Sequence, residues 1–288
     1  MAFGQHQTFY VRQHWINKGL REVRGDGRFF YRDDHFEVLG VGKNMAKAIR
    51  HWLTAMQLVE DVRGLQTEVL LTELANIVMQ FDPYIKSKQT LSLLHYLLVT
   101  EEDTSTTWYW FFNVFNERVF NKTMLVEQLS KWTSENYPRA VSETTIKRDI
   151  DCLVQLYALK EYHNQTPEDV IKSPFEVLGL IQGTAGTNYL KASVNFKQNT
   201  GVLYVTLLKY CDKHAITEVS LTDLQNAEEL WGCVFNLNRD AIINYIDEIQ
   251  QKYPIKFTRT NRLDVVRLEQ NVHWLNALRQ VYENEVLA

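Results

Sequence analysis

The chain has 288 residues, 45% of them apolar, 12% aromatic and 23% charged, enough to bury a core in one large domain or two to three small ones. With only 12 glycines and 5 prolines, long disordered or collagen-like tracts are excluded and a mainly α fold with small β-hairpins is expected. No run approaches about 18 uncharged apolar residues, and the opening MAFGQHQTFYVRQHW lacks a secretory apolar block, so the expectation is a cytoplasmic protein without a membrane partner.

The three cysteines, Cys152, Cys211 and Cys233, form no CxxC pair and read as reduced thiols. The formal charge of −4 is unevenly spread. Residues 1–63 hold 10 Lys and Arg against 7 Asp and Glu, and the remainder holds 21 against 28. His6, His14, His35 and His51 also lie in the first segment. A polyanion would therefore be met by the front of the chain.

In chain order, TFYVRQHWINKGL predicts a helix with Phe9, Trp15, Ile16 and Leu20 inward and Gly19 at its end. A Gly25-Asp26-Gly27 turn leads to Phe29, Phe30 and Tyr31, a short hairpin or an extended crossing whose rings suit core packing better than stacking on bases. Asp33 or Asp34 is placed to cap a short helix, followed by the turn Gly40-Val41-Gly42 and a longer helix from near Asn44. That helix carries Met45, Ala48, Ile49, Trp52, Leu53 and Met56 on one face and Lys43, Lys47, Arg50 and His51 on the other. The layout is that of a helix-turn-helix, whose second helix enters the major groove. It fits an ordinary helical hairpin with a solvated basic face equally well.

Leu70, Leu71, Leu74, Ile77 and Val78 suggest the next helix and SKQTLSLLHYLLVT another. Trp108, Trp110, Phe111, Phe112 and Phe115 are too large and too close together to be mostly exposed. Further on, Ser142 caps a helix with Ile146, Ile150, Leu153 and Val154 inward and Thr144, Lys147, Arg148 and Asp151 outward. Residues 201–288 read as three helices with caps at Ser220 and Asn238, then a β-hairpin bearing Lys256, Arg259, Arg262 and Arg267, then a closing helix. This is a winged-helix order. The expected organisation is an N-terminal helix-turn-helix module at 1–64, a second winged-helix-like module at 65–164, a linker or extended docking segment at 165–200, and a C-terminal winged-helix module at 201–288. The architecture is thus one of tandem winged-helix and helix-turn-helix modules.

Signatures of nucleotide, serine-hydrolase, zinc-protease and dinucleotide chemistry are missing. LGVGKNMAK lacks the first glycine and the hydroxyl residue of a phosphate loop, and suits a helix start that grips a DNA phosphate through Lys43 and backbone amides. Asp33, Asp34 and His35, approached by His6 and His14, form a candidate divalent-metal site. As adjacent residues they point in different directions, and the aspartates serve equally as caps.

Phe3, His6, Phe9, Arg12, Trp15 and Lys18-Gly19, then Leu39-Gly40-Val41-Gly42-Lys43-Asn44-Met45 and Ile49-Arg50-Trp52, resemble a prokaryotic family whose members accompany DNA phosphorothioation genes, including the B component of the Ssp system. The resemblance implies work on sulfur modification of the DNA backbone alongside a cysteine desulfurase, an ATPase and an adenylating sulfur-transfer enzyme, in a defence setting. It also implies nicking or presentation of one strand, with Mg²⁺ or Mn²⁺ as cofactor if a strand is cut. It assigns DNA contact to Lys43, Asn44, Lys47 and Arg50. Further DNA-contact candidates are His51 and Arg12 in the front segment, Lys147 and Arg148 on the second module, and Arg259 and Arg262 on the C-terminal hairpin. No catalytic residue is assigned. The alternative is a non-catalytic protein-protein scaffold or a regulator-like winged-helix protein, for which the acidic balance after residue 63 speaks.

Overall fold

A computed structural model describes residues 1–159, 173–184, 186–197, 199–259 and 264–286. The opening residues lie as a strap across the helices rather than forming one. Its N–H groups are satisfied from a distance, as buried backbone donors must be: Ala2 donates to Thr106 Oγ1 at 2.8 Å and Gly4 to Asp149 Oδ1 at 3.0 Å. Helix α1 (Trp15–Gly25) follows, then a 3-10 turn at Phe29–Tyr31, the short α2 (His35–Val38) and α3 (Lys43–Ala55). Phe29 and Phe30 are buried, as expected, but Tyr31 is exposed, and the segment is a 3-10 turn rather than a hairpin or extended crossing. Gly19 does not end α1 but lies inside it, where a Cβ would stand 2.7 Å from Leu53 Cδ1 and 2.9 Å from Ile49 Cγ2. The missing side chain is what allows α1 and α3 to cross closely.

The inner face of α3 buries Ala46, Ile49, Trp52, Leu53 and Ala55, each large apolar side chain contributing about 1.5–3 kcal/mol. The Trp52 indole N–H donates to the Phe9 carbonyl at 2.9 Å, tying the strap to the helix. Leu70 and Leu71 do not belong to a helix. They end strand β2 (Thr67–Leu71), which pairs antiparallel with β1 (Val59–Arg63), Val59 opposite Leu71 and Arg63 opposite Thr67. Helix α4 (Glu73–Phe81) starts only after Thr72, whose hydroxyl accepts the Ala75 N–H at 3.2 Å.

Helix α5 (Lys88–Val99) is buried from Gln89 to Val99, so its sequence shows almost no polar face. Helix α6 (Thr106–Tyr109) continues as a wider π turn over Trp110–Val114, and the Trp108–Phe115 aromatics fill the core as expected. Strand β3 (Val119–Phe120) leads to α7 (Lys122–Asn136) and α8 (Glu143–Tyr157), the latter capped by Ser142. In the described part of 165–200, Phe175, Leu178, Leu180 and Ile181 are buried, whereas residues 182–184 and 186–188 are exposed. A 3-10 turn at Pro174–Leu178 is fixed by a capping box from Ser173 and Glu176. Strands β4 (Ile181–Gly183) and β5 (Tyr189–Lys191) complete a sheet of order β3-β5-β4, and Val194 and Phe196 beyond it are buried.

The last region contains α9 (Gly201–His214), β6 (Glu218–Ser220), α10 (Leu221–Asn226), α11 (Trp231–Val234), α12 (Arg239–Ile249), β7 (Ile255–Arg259), β8 (Asp264–Leu268) and α13 (Trp274–Val286). Ser220 and Asn238 cap α10 and α12 as their spacing predicts. The strands form an antiparallel sheet of order β6-β8-β7. Helix α13 closes back onto α9 and α4, the Tyr282 ring stacking on Phe81. The fold is therefore mainly α with small antiparallel sheets. No helix among the described residues is long and apolar enough to cross a membrane.

Candidate nucleic-acid interface

The approach to α3 is set by Gly40, whose φ of +66° lies in the left-handed region that glycine adopts without strain. Lys18 Nζ donates to the Leu39 carbonyl at 3.4 Å and steadies the same turn. Gly42 is the N-cap, so Lys43 and Asn44 are the first two helical residues. Lys43, Asn44 and Lys47 are exposed. The Lys43 ammonium rides 5.0 Å from the Phe36 ring centre, a weak cation–π contact at an exposed site. Lys47 and Asn44 have no hydrogen-bond or ion-pair partner among the described residues. α3 carries no acidic residue, so the charges on this face are all positive.

Arg50 lies on the same helix but is engaged by the molecule itself. Its Nη2 donates to Tyr31 Oη at 2.8 Å and to Asp61 of β1 at 2.9 and 3.1 Å. Its guanidinium also stands 4.7 Å from the Tyr31 ring centre. Burial opposes its charge, but the hydrogen bond and charge of Asp61 prevail and hold it above its ordinary pKa. His51 is partly buried against Trp52, and burial, with His6 nearby, pushes its pKa down to about 3. It is a neutral ring at physiological pH and adds no charge to the face.

The remaining candidates are scattered. The Arg12 guanidinium is laid over Trp15 at 5.1 Å and Phe9 at 5.9 Å, with its Nε buried and unpaired among the described residues. On α8, Lys147 is exposed and pairs with Glu143 at 2.5 Å, whereas Arg148 is exposed without such a partner among the described residues. Arg259 on β7 is exposed over the Phe257 ring at 5.2 Å. Arg262 lies outside the described residues. The structure thus gathers Lys43, Asn44 and Lys47 on one free surface, with Arg50 at its edge.

The candidate metal ligands disperse. Asp34 accepts two hydrogen bonds from Arg32, at 2.9 and 2.7 Å, which hold its carboxyl below the ordinary range. His35 Nδ1 lies 2.5 Å from the Arg32 carbonyl. His6 is drawn to the far side of α3, where its Nε2 meets Asp149 Oδ1 at 2.9 Å; Thr107 Oγ1 donates to Oδ2 of the same carboxylate at 3.0 Å. No group of three or more His, Cys, Asp or Glu among the described residues stands where it could hold a metal ion. What the buried His6–Asp149 pair does is position the strap: the imidazole stacks 6.0 Å from Trp52 and meets Trp108 edge-on at 5.5 Å, directly beneath α3.

Sequence reading missed Tyr31 and Asp61, the two groups that restrain Arg50, and the hairpin beside α3. The signal for the hairpin was present as two short runs, VEDVR and TEVLL, about a Gly64-containing tip. Its tip presents exposed Arg63 and Leu65 to solvent.

A mainly helical protein with exposed, unpaired Lys47 and an acid-free outer face on α3 is the class that fold and surface define. The chain belongs to the family described as "Protein of unknown function (DUF4007)", matched over residues 3–282. Among solved structures it is similar to a magnesium ion-bound SspB crystal structure, with a TM-score of 0.88 at 22% identity, covering 98% of this chain and 88% of that one. It is also similar to a second SspB crystal structure, with a TM-score of 0.87 at 22% identity and the same coverage. At this identity the likeness establishes the fold. No curated protein matches the sequence.

Proposed function

We propose that the chain is the DNA-engaging subunit of a prokaryotic DNA phosphorothioation system and meets the duplex through the outer face of α3. The observation that carries the reading is the exposed, acid-free row of Lys43, Asn44 and Lys47 on a helix entered by a tight turn and flanked by the β1-β2 hairpin. Ammonium groups at this spacing bind phosphates by displacing counterions, and an exposed Asn can reach a base edge. The turn, α3 and hairpin read as one winged-helix-like module. The order α9, β6, α10, α12, β7, β8 reads as another, giving the tandem arrangement that the sequence pattern suggests. The SspB-like fold and the phosphorothioation-family pattern of the front residues support the pathway, in which a desulfurase, an ATPase and a sulfur-transfer enzyme are the partners.

Strand nicking is a narrower matter. The magnesium ion belongs to the SspB structure, and the described residues hold no group of three or more His, Cys, Asp or Glu placed to bind a metal ion. No cleavage step is assigned to this chain's residues. The scaffold reading is favoured by one observation, the excess of acids after residue 63. Fluorescence anisotropy on a labelled duplex separates the two. DNA engagement predicts affinity that falls steeply with salt and drops in Lys47→Glu; affinity indifferent to both would leave the scaffold. Incubating supercoiled plasmid with the protein and Mg²⁺ or Mn²⁺ tests nicking, and absence of relaxed product from a DNA-binding preparation would remove it for the isolated subunit.

A further inference from the structure

Away from α3, a cleft of about 440 Å³ opens between the β3-β5-β4 sheet and the α10–α12 region. Its cations are set by strand register. β3 and β5 pair with Val119 opposite Leu190 and Phe120 opposite Tyr189, and one rung further the Lys191 N–H donates to the Arg118 carbonyl at 2.8 Å. Residues directly opposite in an antiparallel ladder share a face, and like charges there repel. Arg118 and Lys191 are such a pair. Both line the cleft, and no Asp or Glu lines it.

Arg118 is exposed, and its guanidinium has no hydrogen-bond or ion-pair partner among the described residues. Lys191 is only 8% exposed. Its Nζ donates to the carbonyls of Phe111 and Phe115, each at 2.5 Å, and lies 4.4 Å from the Phe111 ring centre. Burial pulls its pKa down to about 7, with the Cys233 thiol acting the other way, while the two carbonyls and the ring favour the ammonium. An ammonium carries three donors. Two are used, and the third finds no acceptor among the described residues. A buried, partly satisfied cation beside an exposed, unpaired one on the same wall of an acid-free cleft lacks an anion.

The rest of the lining supplies amides. Asn116 has no hydrogen-bond partner for its side chain among the described residues. Asn226 and Asn236 each use one amide N–H on a backbone carbonyl at 3.0 Å, leaving a second N–H and the side-chain oxygen. Asn238 spends its oxygen on the Ala241 N–H at 2.9 Å, leaving its NH₂ as a donor. Donors and acceptors of this kind suit the mixed edge of a nucleobase, and a volume of about 440 Å³ lies in the ordinary range for a small-molecule site. We propose that this cleft binds a nucleoside monophosphate, its phosphate between Arg118 and Lys191 and its base against the asparagine amides. The site is independent of α3 and of the DNA reading.

Calorimetric titration of the full chain with AMP, with adenosine and inorganic phosphate in parallel, tests it. AMP binds saturably at one site, phosphate more weakly, and adenosine without measurable affinity. Arg118→Glu reverses an exposed charge, so it leaves the melting temperature in place while raising the AMP dissociation constant about tenfold or more. Lys191→Met weakens AMP further where it folds, and the Arg118 variant carries the test where it does not. Lys47→Glu on α3 leaves AMP binding unchanged, which separates failure here from failure of the DNA reading. No saturable AMP binding, AMP affinity untouched by Arg118→Glu, or phosphate binding as tightly as AMP would each overturn the proposal.

Discussion

At the front, α2 and the Gly40 turn lead to α3 and then to the β1-β2 hairpin; in the C-terminal region, α10 and α11 lead to α12 and then to the β7-β8 hairpin. The layouts are alike and the charges are not. α3 carries Lys43, Lys47 and Arg50 and no acid, whereas α12 carries Asp240, Asp247 and Glu248 against the single Arg239. Arg239 is bound to Asp264 at 3.0 Å, and Arg267 is held by two hydrogen bonds to Glu218 at 3.0 and 2.8 Å. The shared arrangement therefore says little about partners. What separates the two regions is the balance on the outer helix: α3 carries cations and no acid, whereas on α12 the acids outnumber the one arginine.

The largest expected effect bears on the support of α3. Asp149 is wholly buried and accepts from Gly4, His6 and Thr107, so Asp149→Ala strands three polar groups and should cost about 3–5 kcal/mol in urea unfolding. A loss below about 1 kcal/mol would mean that the strap is not held this way.

Acid separates the regions less sharply. Burial pushes His95 down to about 3, although its bond to the Val234 carbonyl acts the other way, and His51 is pushed equally low. The unfolded chain takes up these protons near pH 6.5 and the folded chain refuses them, so stability is full above that pH and falls toward pH 3. His95, fully buried, should contribute a slope approaching about 1.4 kcal/mol per pH unit, and the partly exposed His51 less. A stability curve flat from pH 6.5 to 4.5 would contradict both. Because His51 stays neutral, duplex affinity should not rise through its protonation between pH 8 and 6.

On DNA, Lys43→Glu with Lys47→Glu should weaken duplex binding by about tenfold or more at low salt, while Arg239→Glu should change it less than about twofold. Equal losses would erase the contrast between the regions. The smallest effect is the most diagnostic of charge availability: Asp61→Ala releases Arg50 from an exposed pair worth about 0–1 kcal/mol and should raise duplex affinity by about two- to threefold. A decrease would mean that Asp61 orients Arg50 for DNA rather than withholding it.

Much of this was legible in the sequence where neighbouring residues decide the matter. The spacing of Ile49, Trp52 and Leu53 defines the inner face of α3, and Ser142, Ser220 and Asn238 cap the helices they precede. Local pattern failed where distant residues decide. Gly19 reads as a helix end until Leu53 and Ile49 are seen against it. Arg50 reads as free until Asp61, eleven positions on, is brought beside it by the hairpin. His6 reads as a candidate metal ligand until Asp149, 143 positions away, claims its ring.

The central claim is that duplex DNA lies against the outer face of α3. A photo-crosslinking amino acid placed singly at Lys47 and at Arg259, each in the otherwise native chain, tests it most directly. Irradiation with a duplex should give a covalent DNA adduct from position 47 well in excess of that from position 259, and the adduct should fade as salt is raised. Adducts from position 259 with none from position 47 would contradict it.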